Sequence, residues 1–408
     1  MEYQYHRFNN GIRLVHKYTD SNIAHCGLLI NTGSRDELPF EIGIAHFIEH
    51  CIFKGTLKRK SHHIINRIDS VGGELNAYTT KEETAVYASF LTEYYPRTIE
   101  LLADIVFKST FPEKEIEKEK DVVIEEINSY KDNPAELIFD EFEQQIYKNH
   151  PLGNLILGSP KDIKKYHSSH LISFIKRIYN TDEMVICSVG KIEMKSIIKL
   201  CEKHFAIFEP NIRTQNRQKF QEYIPGIHTK NKKTFQSHCL IGNVAYTLGD
   251  ERKTGLSFLS NIIGGPAMNS RLNIALREKN GLSYNVESNY TPYSDTGLFC
   301  IYFGTDNSTY EKALETVYKE LDKLKNTQLS SNQLHSFKKQ YTGQLALSFE
   351  SNLNEMLSIG KSYMVYNKVD TINEVCIKIN NLTSSQLIEI ANEIFNSKQL
   401  SILNYKSK

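Results

Sequence analysis

Residues 43–55 read Gly43-Ile44-Ala45-His46-Phe47-Ile48-Glu49-His50-Cys51-Ile52-Phe53-Lys54-Gly55. Ile44, Phe47, Ile48, Ile52 and Phe53 suit a buried helix, and Gly55 offers a stop. On a helix, positions i and i+4 share a face, so His46 and His50 can aim at one ion. Glu49 falls at the edge of that face, within reach of a water beside the ion without being a ligand. Two core histidines and a surface glutamate would be spelled the same way. What separates the readings is a third ligand, because a catalytic zinc takes three protein ligands and keeps one position open. The stretch therefore predicts a carboxylate arriving from another helix. Cys51 is turned about 100° from the histidine face and reads as packing.

The chain has 408 residues, which predicts two domains of about 200 residues rather than one core. With 24% charged and 40% hydrophobic residues, the composition is that of a globular protein. A formal net charge of +1 gives no case for nucleic acid or an anionic membrane as partner. The start lacks a signal-like apolar run and an Arg-rich transit pattern, and no stretch is long enough to span a bilayer. Seven cysteines, an odd number without close pairs, favour a reducing compartment. The expected location is the cytoplasm.

Outward from the histidine helix, Arg13–His16 and His25–Ile30 read as strands before a turn at Thr32–Glu37. Ser61–Ile68 reads as a second helix. Its adjacent His62 and His63 cannot share a face and belong to a solvated helix start. Val71–Thr79 reads as a turn into a strand, and Thr84–Phe90 as a strand by its β-branched and aromatic content. Helical periodicity covers Tyr94–Phe107, Glu113–Tyr130 and Glu136–Tyr147, and Met184–Gly190 is a compact buried strand. A polar stretch with Pro210, Pro225 and Gly226 reads as a linker over 211–233, between domains at 1–210 and 234–408.

After the linker the pattern restarts. His238-Cys239-Leu240-Ile241 echoes His25-Cys26-Gly27-Leu28, and Gly297–Phe303 takes the place of Thr84–Phe90. A helix over Tyr310–Lys325 takes the place of Tyr94–Phe107, and a longer one spans about Ser331–Glu350. Two copies of one α+β unit are expected. The second has Leu256–Asn261 where the first has its histidines, so one copy would hold the metal.

The third ligand is sought in Glu117–Asn128, where most acids belong to a solvated, lysine-paired face. Val122, Val123 and Ile127 mark a buried side. Glu119 and Glu126 fall on it by the i, i+3, i+4, i+7 rule, whereas Glu125 points elsewhere. Buried carboxylates need a cation or a donor. Glu126 as ligand and Glu119 as partner to a histidine meet that need.

His46-x-x-Glu49-His50 followed by Glu126 in Val-Val-Ile-Glu-Glu-Ile resembles the inverzincin pattern of the insulinase–pitrilysin family of zinc metallopeptidases. The smaller branch, with the mitochondrial processing peptidase subunits and bacterial relatives, is similar in length. The resemblance implies two homologous α/β-roll domains, each a mostly antiparallel sheet packed with helices. It implies one Zn²⁺ per chain on His46, His50 and Glu126, with Glu49 as general base and Glu119 as outer partner. It gives Gly73, Asn76, Ala77 and Thr79 to a substrate-binding edge strand. In Leu276-Arg277-Glu278-Lys279-Asn280-Gly281-Leu282-Ser283-Tyr284 it assigns Arg277 and Tyr284 to substrate contact from the second domain. Gly264-Gly265-Pro266 lacks the strand–helix context of a phosphate loop. The implied activity is zinc-dependent endopeptidase cleavage of unfolded peptides in a clam-shell chamber, formed by a homodimer. Leader or presequence processing is the alternative, and a non-catalytic partner subunit the less favoured one.

Overall fold

The computed structural model describes residues 3–407. The chain forms two compact units, each built on one sheet. In unit 1 the strands are β1 (Gln4–Arg7), β2 (Arg13–Tyr18), β3 (Ile23–Ile30), β4 (Glu74–Thr79), β5 (Thr84–Leu91) and β6 (Met184–Gly190). Their order is β1-β2-β6-β3-β5-β4, antiparallel throughout except for the β2/β6 pair. In unit 2 the strands are β7 (Ile227–Lys232), β8 (Ser237–Val244), β9 (Ser283–Pro292), β10 (Gly297–Thr305) and β11 (Ser401–Ser407). The order there is β7-β11-β8-β10-β9, with only β7/β11 parallel. The expected α+β class and the doubled, mostly antiparallel sheet are what the chain forms.

Both sheets bury both faces, which is why their central strands read as continuous apolar runs instead of alternating. In unit 1, Cys26, Leu28, Val86, Ala88 and Ile186 face one core, together with α1 (Ile44–Cys51), α2 (Ser61–Asp69) and α3 (Tyr95–Phe107). The residues between them, Leu29, Ala85, Val185, Cys187 and Val189, face a second core with Met356, Ile359 and Tyr363 of the helix Asn352–Tyr366. A further helix, α4 (Glu113–Lys131), runs beside α1 and is described with the site. In unit 2, Ile138, Phe142 and Ile146 of α5 (Pro134–Ile146) cover Leu240, Leu298, Tyr302 and Leu403. Fully burying each of these α5 side chains contributes roughly 1.5–3 kcal/mol.

The units are therefore not two consecutive stretches. Unit 1 comprises Met1–Asn128, Asn154–Gln218 and Leu347–Thr371, and unit 2 the remainder. By order along the chain α5 is expected with the first half, but nothing local marks which sheet an amphipathic helix will cover, and it belongs to unit 2. The expected linker also divides. Residues 211–218 belong to unit 1, and Ile227–Lys232 is strand β7. The physical reason is Asp36, a buried carboxylate. Arg213 Nη2 donates to its Oδ1 at 2.5 Å, and Arg217 to both oxygens at 3.0 and 2.9 Å. Arg217 also approaches Glu82 at 3.5 Å. Two guanidinium forks fasten a stretch that composition alone marks as loose.

Burial pushes the Asp36 carboxyl up, but Arg217 and Arg213 outweigh it and hold it below its ordinary value. A lowered folded-state pKa stabilises the protein above the unfolded pKa of about 3.9, and that stability is lost as pH falls through the folded value. Asp36→Asn, which leaves two part-buried guanidinium groups short of their counter-ion, is expected to cost about 3 kcal/mol at pH 7. Thermal unfolding should show the gap closing as pH drops below about 4. Equal melting temperatures at pH 7 would refute this role for Asp36.

Among the described residues no helix is long and apolar enough to cross a membrane. The seven cysteines are free thiols, six of them buried, and Cys51 packs in the core as expected.

Candidate metal centre

Helix α1 begins at Gly43, whose φ of +87° is strained for any residue with a side chain. A Cβ there would also lie 2.8 Å from Gly158 Cα. The helix is shorter than the sequence suggested: it ends at Cys51, and Gly55 instead bridges Lys60 in a following turn. Ile44, Phe47 and Ile48 anchor its apolar side in the core, which turns His46 inward. His46 is buried and His50 half-buried, with ring centroids 4.7 Å apart.

Helix α4 brings the carboxylates. Its buried positions are Ile116, Glu119, Lys120, Val123 and Ile127. Val122, expected inside, is 51% exposed, and Lys120 takes the inner place. A 3.6-residue repeat admits either neighbour at the edge of a stripe, and the long lysine stem can lie along the surface. Glu125 is exposed, as expected.

Glu126 Oε1 lies 3.7 Å from His46 Nε2, and its Oε2 lies 3.2 Å from His50 Nε2. One ligand atom from each of these three residues falls within a 4.8 Å cluster. A tetrahedral cation with ligands at 2.0–2.1 Å separates its donor atoms by about 3.4 Å, so the spacing fits zinc. The orphaned atoms point the same way. Glu49 Oε2 and Glu126 Oε2 are buried without a hydrogen-bond partner. The 3.2 Å approach of Glu126 to His50 is thus not aligned as a hydrogen bond.

Glu119 stands behind this group, its Oε2 3.4 Å from His50 Nδ1 and its Oε1 2.7 Å from Lys54 Nζ. Lys54 was not singled out from the sequence, although its place four residues after His50 could have suggested it. Three carboxylates thus surround two imidazoles and one lysine, an arrangement that favours an added cation. Burial, then the neighbouring His50, lowers His46 to about 3, so its ring is neutral and free to donate a lone pair. Burial also acts to lower His50, but Glu119, Glu126 and Glu49 together raise it. Burial raises Glu49, aided by Glu126 and opposed by Thr79 and His50. Burial acts to raise Glu119, but His50 and Lys54 hold it below its ordinary value.

Strand β4 lies at the sheet edge, paired on one side only with β5. Leu75 and Ala77 face the core that holds α1, whereas Asn76 is exposed. Thr79, on the same alternation as Ala77, comes close enough to Glu49 to favour its charged form, yet its hydroxyl makes no hydrogen bond of normal geometry. Among the described residues no strand pairs with the other side of β4, the kind of edge at which another strand can add. Gly73 precedes it where a Cβ would meet Ile68 at 2.6 Å and the Ser89 carbonyl at 2.8 Å.

In unit 2, Arg277 closes a π-helical turn, Asn273–Glu278, and its guanidinium lies 4.8 Å from the ring centre of Tyr284 on β9. Tyr284 is 77% exposed. Both line a cavity of about 370 Å³ with Gly264, Gly265 and Glu287. The structure brings these two sequence-singled residues into one stacked pair.

A sequence profile described as Insulinase (Peptidase family M16) matches residues 13–160, and one described as Peptidase M16 inactive domain matches residues 167–341. The chain is 36% identical over 388 residues to a Bacillus subtilis protein named uncharacterized zinc protease YmxG, covering 95% of this chain and 94% of that one. It is 32% identical over 400 residues to a Rickettsia bellii protein named uncharacterized zinc protease, covering 97% and 95%. Among solved structures, the peptidase M16 inactive domain from Pseudomonas fluorescens matches with a TM-score of 0.93 at 20% identity, over 100% of this chain and 98% of that one. A protease from Helicobacter pylori matches with a TM-score of 0.90 at 20% identity, over 99% of each. At that identity the likeness shows the fold. On its two profile matches and its near full-length relatives, the chain belongs to the insulinase family, peptidase family M16.

Proposed function

We propose that the chain is a zinc-dependent endopeptidase acting on extended peptides, with zinc held by His46, His50 and Glu126. The observation that carries this reading is the meeting of two imidazoles and a carboxylate, with the unpartnered Glu49 Oε2 beside them. The names of the relatives support the metal and the reaction class. Zinc bound there supplies Lewis acidity toward the scissile carbonyl and the attacking water.

Glu49 is the general base. It takes the water's proton on Oε2 and delivers it to the leaving amine. Its raised pKa suits a group that must both accept and release a proton. Glu119 orients the His50 ring through Nδ1 and keeps the opposite nitrogen aimed at the metal. The substrate adds to the free edge of β4, and Gly73, Asn76, Ala77 and Thr79 line that edge. Main-chain hydrogen bonds would then supply affinity and leave side-chain preference loose. A strand-forming substrate must be extended, which selects unfolded peptides. Tyr284 is assigned to the developing oxyanion and Arg277 to a substrate carbonyl, supported by the family resemblance and by their stacking. A homodimer with both active sites complete is the assembly proposed.

Quenched-fluorescence peptides of graded length test the reading. Hydrolysis is expected to stop with a zinc chelator and to return on adding zinc. An enclosed chamber predicts an upper length limit, whereas a processing protease would cut one site in a mixed library. Turnover unaffected by exhaustive chelation would overturn the zinc assignment.

A further inference from the structure

The segment that launches α1 contains a fully buried acid to which the reading above gives no part. Glu37 is 5% exposed, and each of its carboxylate oxygens accepts a different main-chain N–H of the α1 start. Oε2 takes Gly43 N and Oε1 takes Ala45 N, both at 2.9 Å. Gly43 and the first helical residues carry N–H groups that have no partner within the helix. Their usual partner is a side chain at the cap position itself, but Gly43 has none. The acid six residues upstream takes that place, and it does so one residue before His46.

Other contacts hold the same point. Tyr166 donates its hydroxyl to the Ile42 carbonyl at 2.8 Å, and Gly43 packs against Gly158. Burial pushes the Glu37 carboxyl well above its ordinary value, aided by Glu41 and only partly offset by the Ala45 and Gly43 amides and Lys81. Both oxygens keep a lone pair for their amides in either protonation state, so this two-point hold is a matter of geometry.

We propose that Glu37 is the positioning residue of the metal centre: by holding the Gly43 and Ala45 amides it fixes the first turn of α1 and so the placement of His46 relative to His50 and Glu126. The inference rests on the zinc reading for its consequence, though not for its geometry. Positioning groups around a metal typically govern affinity by about 10–100-fold.

Glu37→Gln is the test, because it keeps size and burial but turns an NH₂ group toward one of the two amide donors. The full chain is prepared metal-free, and three quantities are measured. Amide exchange at residues 43–47 should be faster than in the parent. Zinc affinity by chelator competition should fall about 10–100-fold. Peptide turnover at saturating zinc should lose kcat with little change in KM. Met356→Ala, a core change on the opposite face of the sheet, controls for stability loss alone; it should lower the melting temperature without moving zinc affinity. Glu37→Asp, retaining a shortened carboxylate, should fall between parent and Gln and covers the case in which Glu37→Gln fails to fold.

Parental exchange at 43–47 and parental zinc affinity in both Glu37 variants would overturn the proposal. So would an equal loss of zinc affinity in Met356→Ala. If the parent chain itself bound no zinc, the zinc reading would fail, and the exchange measurement alone would then decide whether Glu37 fixes the helix start.

Discussion

A Glu49→Gln protein is expected to keep its zinc and to cleave peptides about 10²–10⁴-fold more slowly than the parent. The isosteric amide preserves packing at a half-buried position but cannot take a proton. Glu49 Oε2 makes no hydrogen bond, so the substitution breaks none at that atom. It also removes a carboxylate that is raised by burial and by Glu126. Unchanged or slightly higher thermal stability should therefore accompany the lost turnover. Metal analysis together with initial rates checks the pair of outcomes. Parental turnover in Glu49→Gln would exclude Glu49 as the base, and loss of zinc would show that it serves as a ligand.

Glu126→Ala is expected to lose the metal itself. Four-ligand structural zinc sites gain about 10–16 kcal/mol, so one ligand corresponds to roughly 3 kcal/mol, or a factor of about 10² in affinity. His46 and His50 alone should then release zinc on dialysis, and turnover should vanish with it. The metal-free variant should nevertheless fold. Its change removes a carboxylate that opposes Glu49, and the Glu126 side chain is 42% exposed. Metal content after dialysis and the melting temperature of the metal-free protein separate this outcome from simple unfolding. A dialysed variant that retained stoichiometric zinc would contradict the assignment of Glu126.

Much of this site was legible in the sequence because helical periodicity is local. The spacing of His46 and His50, and of Glu119 and Glu126, places each pair on one helix face before any tertiary contact is known. The structure then shows the two faces meeting. Periodicity reads poorly at the margin of a stripe, which is why Val122 and Lys120 exchanged places. Contacts set by tertiary approach left no local mark. Glu37 sits in an irregular turn, and only the fold reveals which amides it meets. The doubled α+β pattern was readable from strand and helix order. The reciprocal placement of α5 and the helix Asn352–Tyr366 was not, because an apolar helix face does not say which sheet it will cover. The polar run after residue 210 reads as linker by composition, yet Arg213 and Arg217 tie it down chiefly on the distant Asp36 carboxylate.

The measurement that bears most directly on the central claim is an anomalous difference map at the zinc absorption edge, from crystals of the purified chain. One peak per chain is expected, at about 2.0–2.2 Å from an imidazole nitrogen of His46, an imidazole nitrogen of His50 and a carboxylate oxygen of Glu126. A peak bound elsewhere on the chain, or none at these three residues in zinc-soaked crystals, would contradict it.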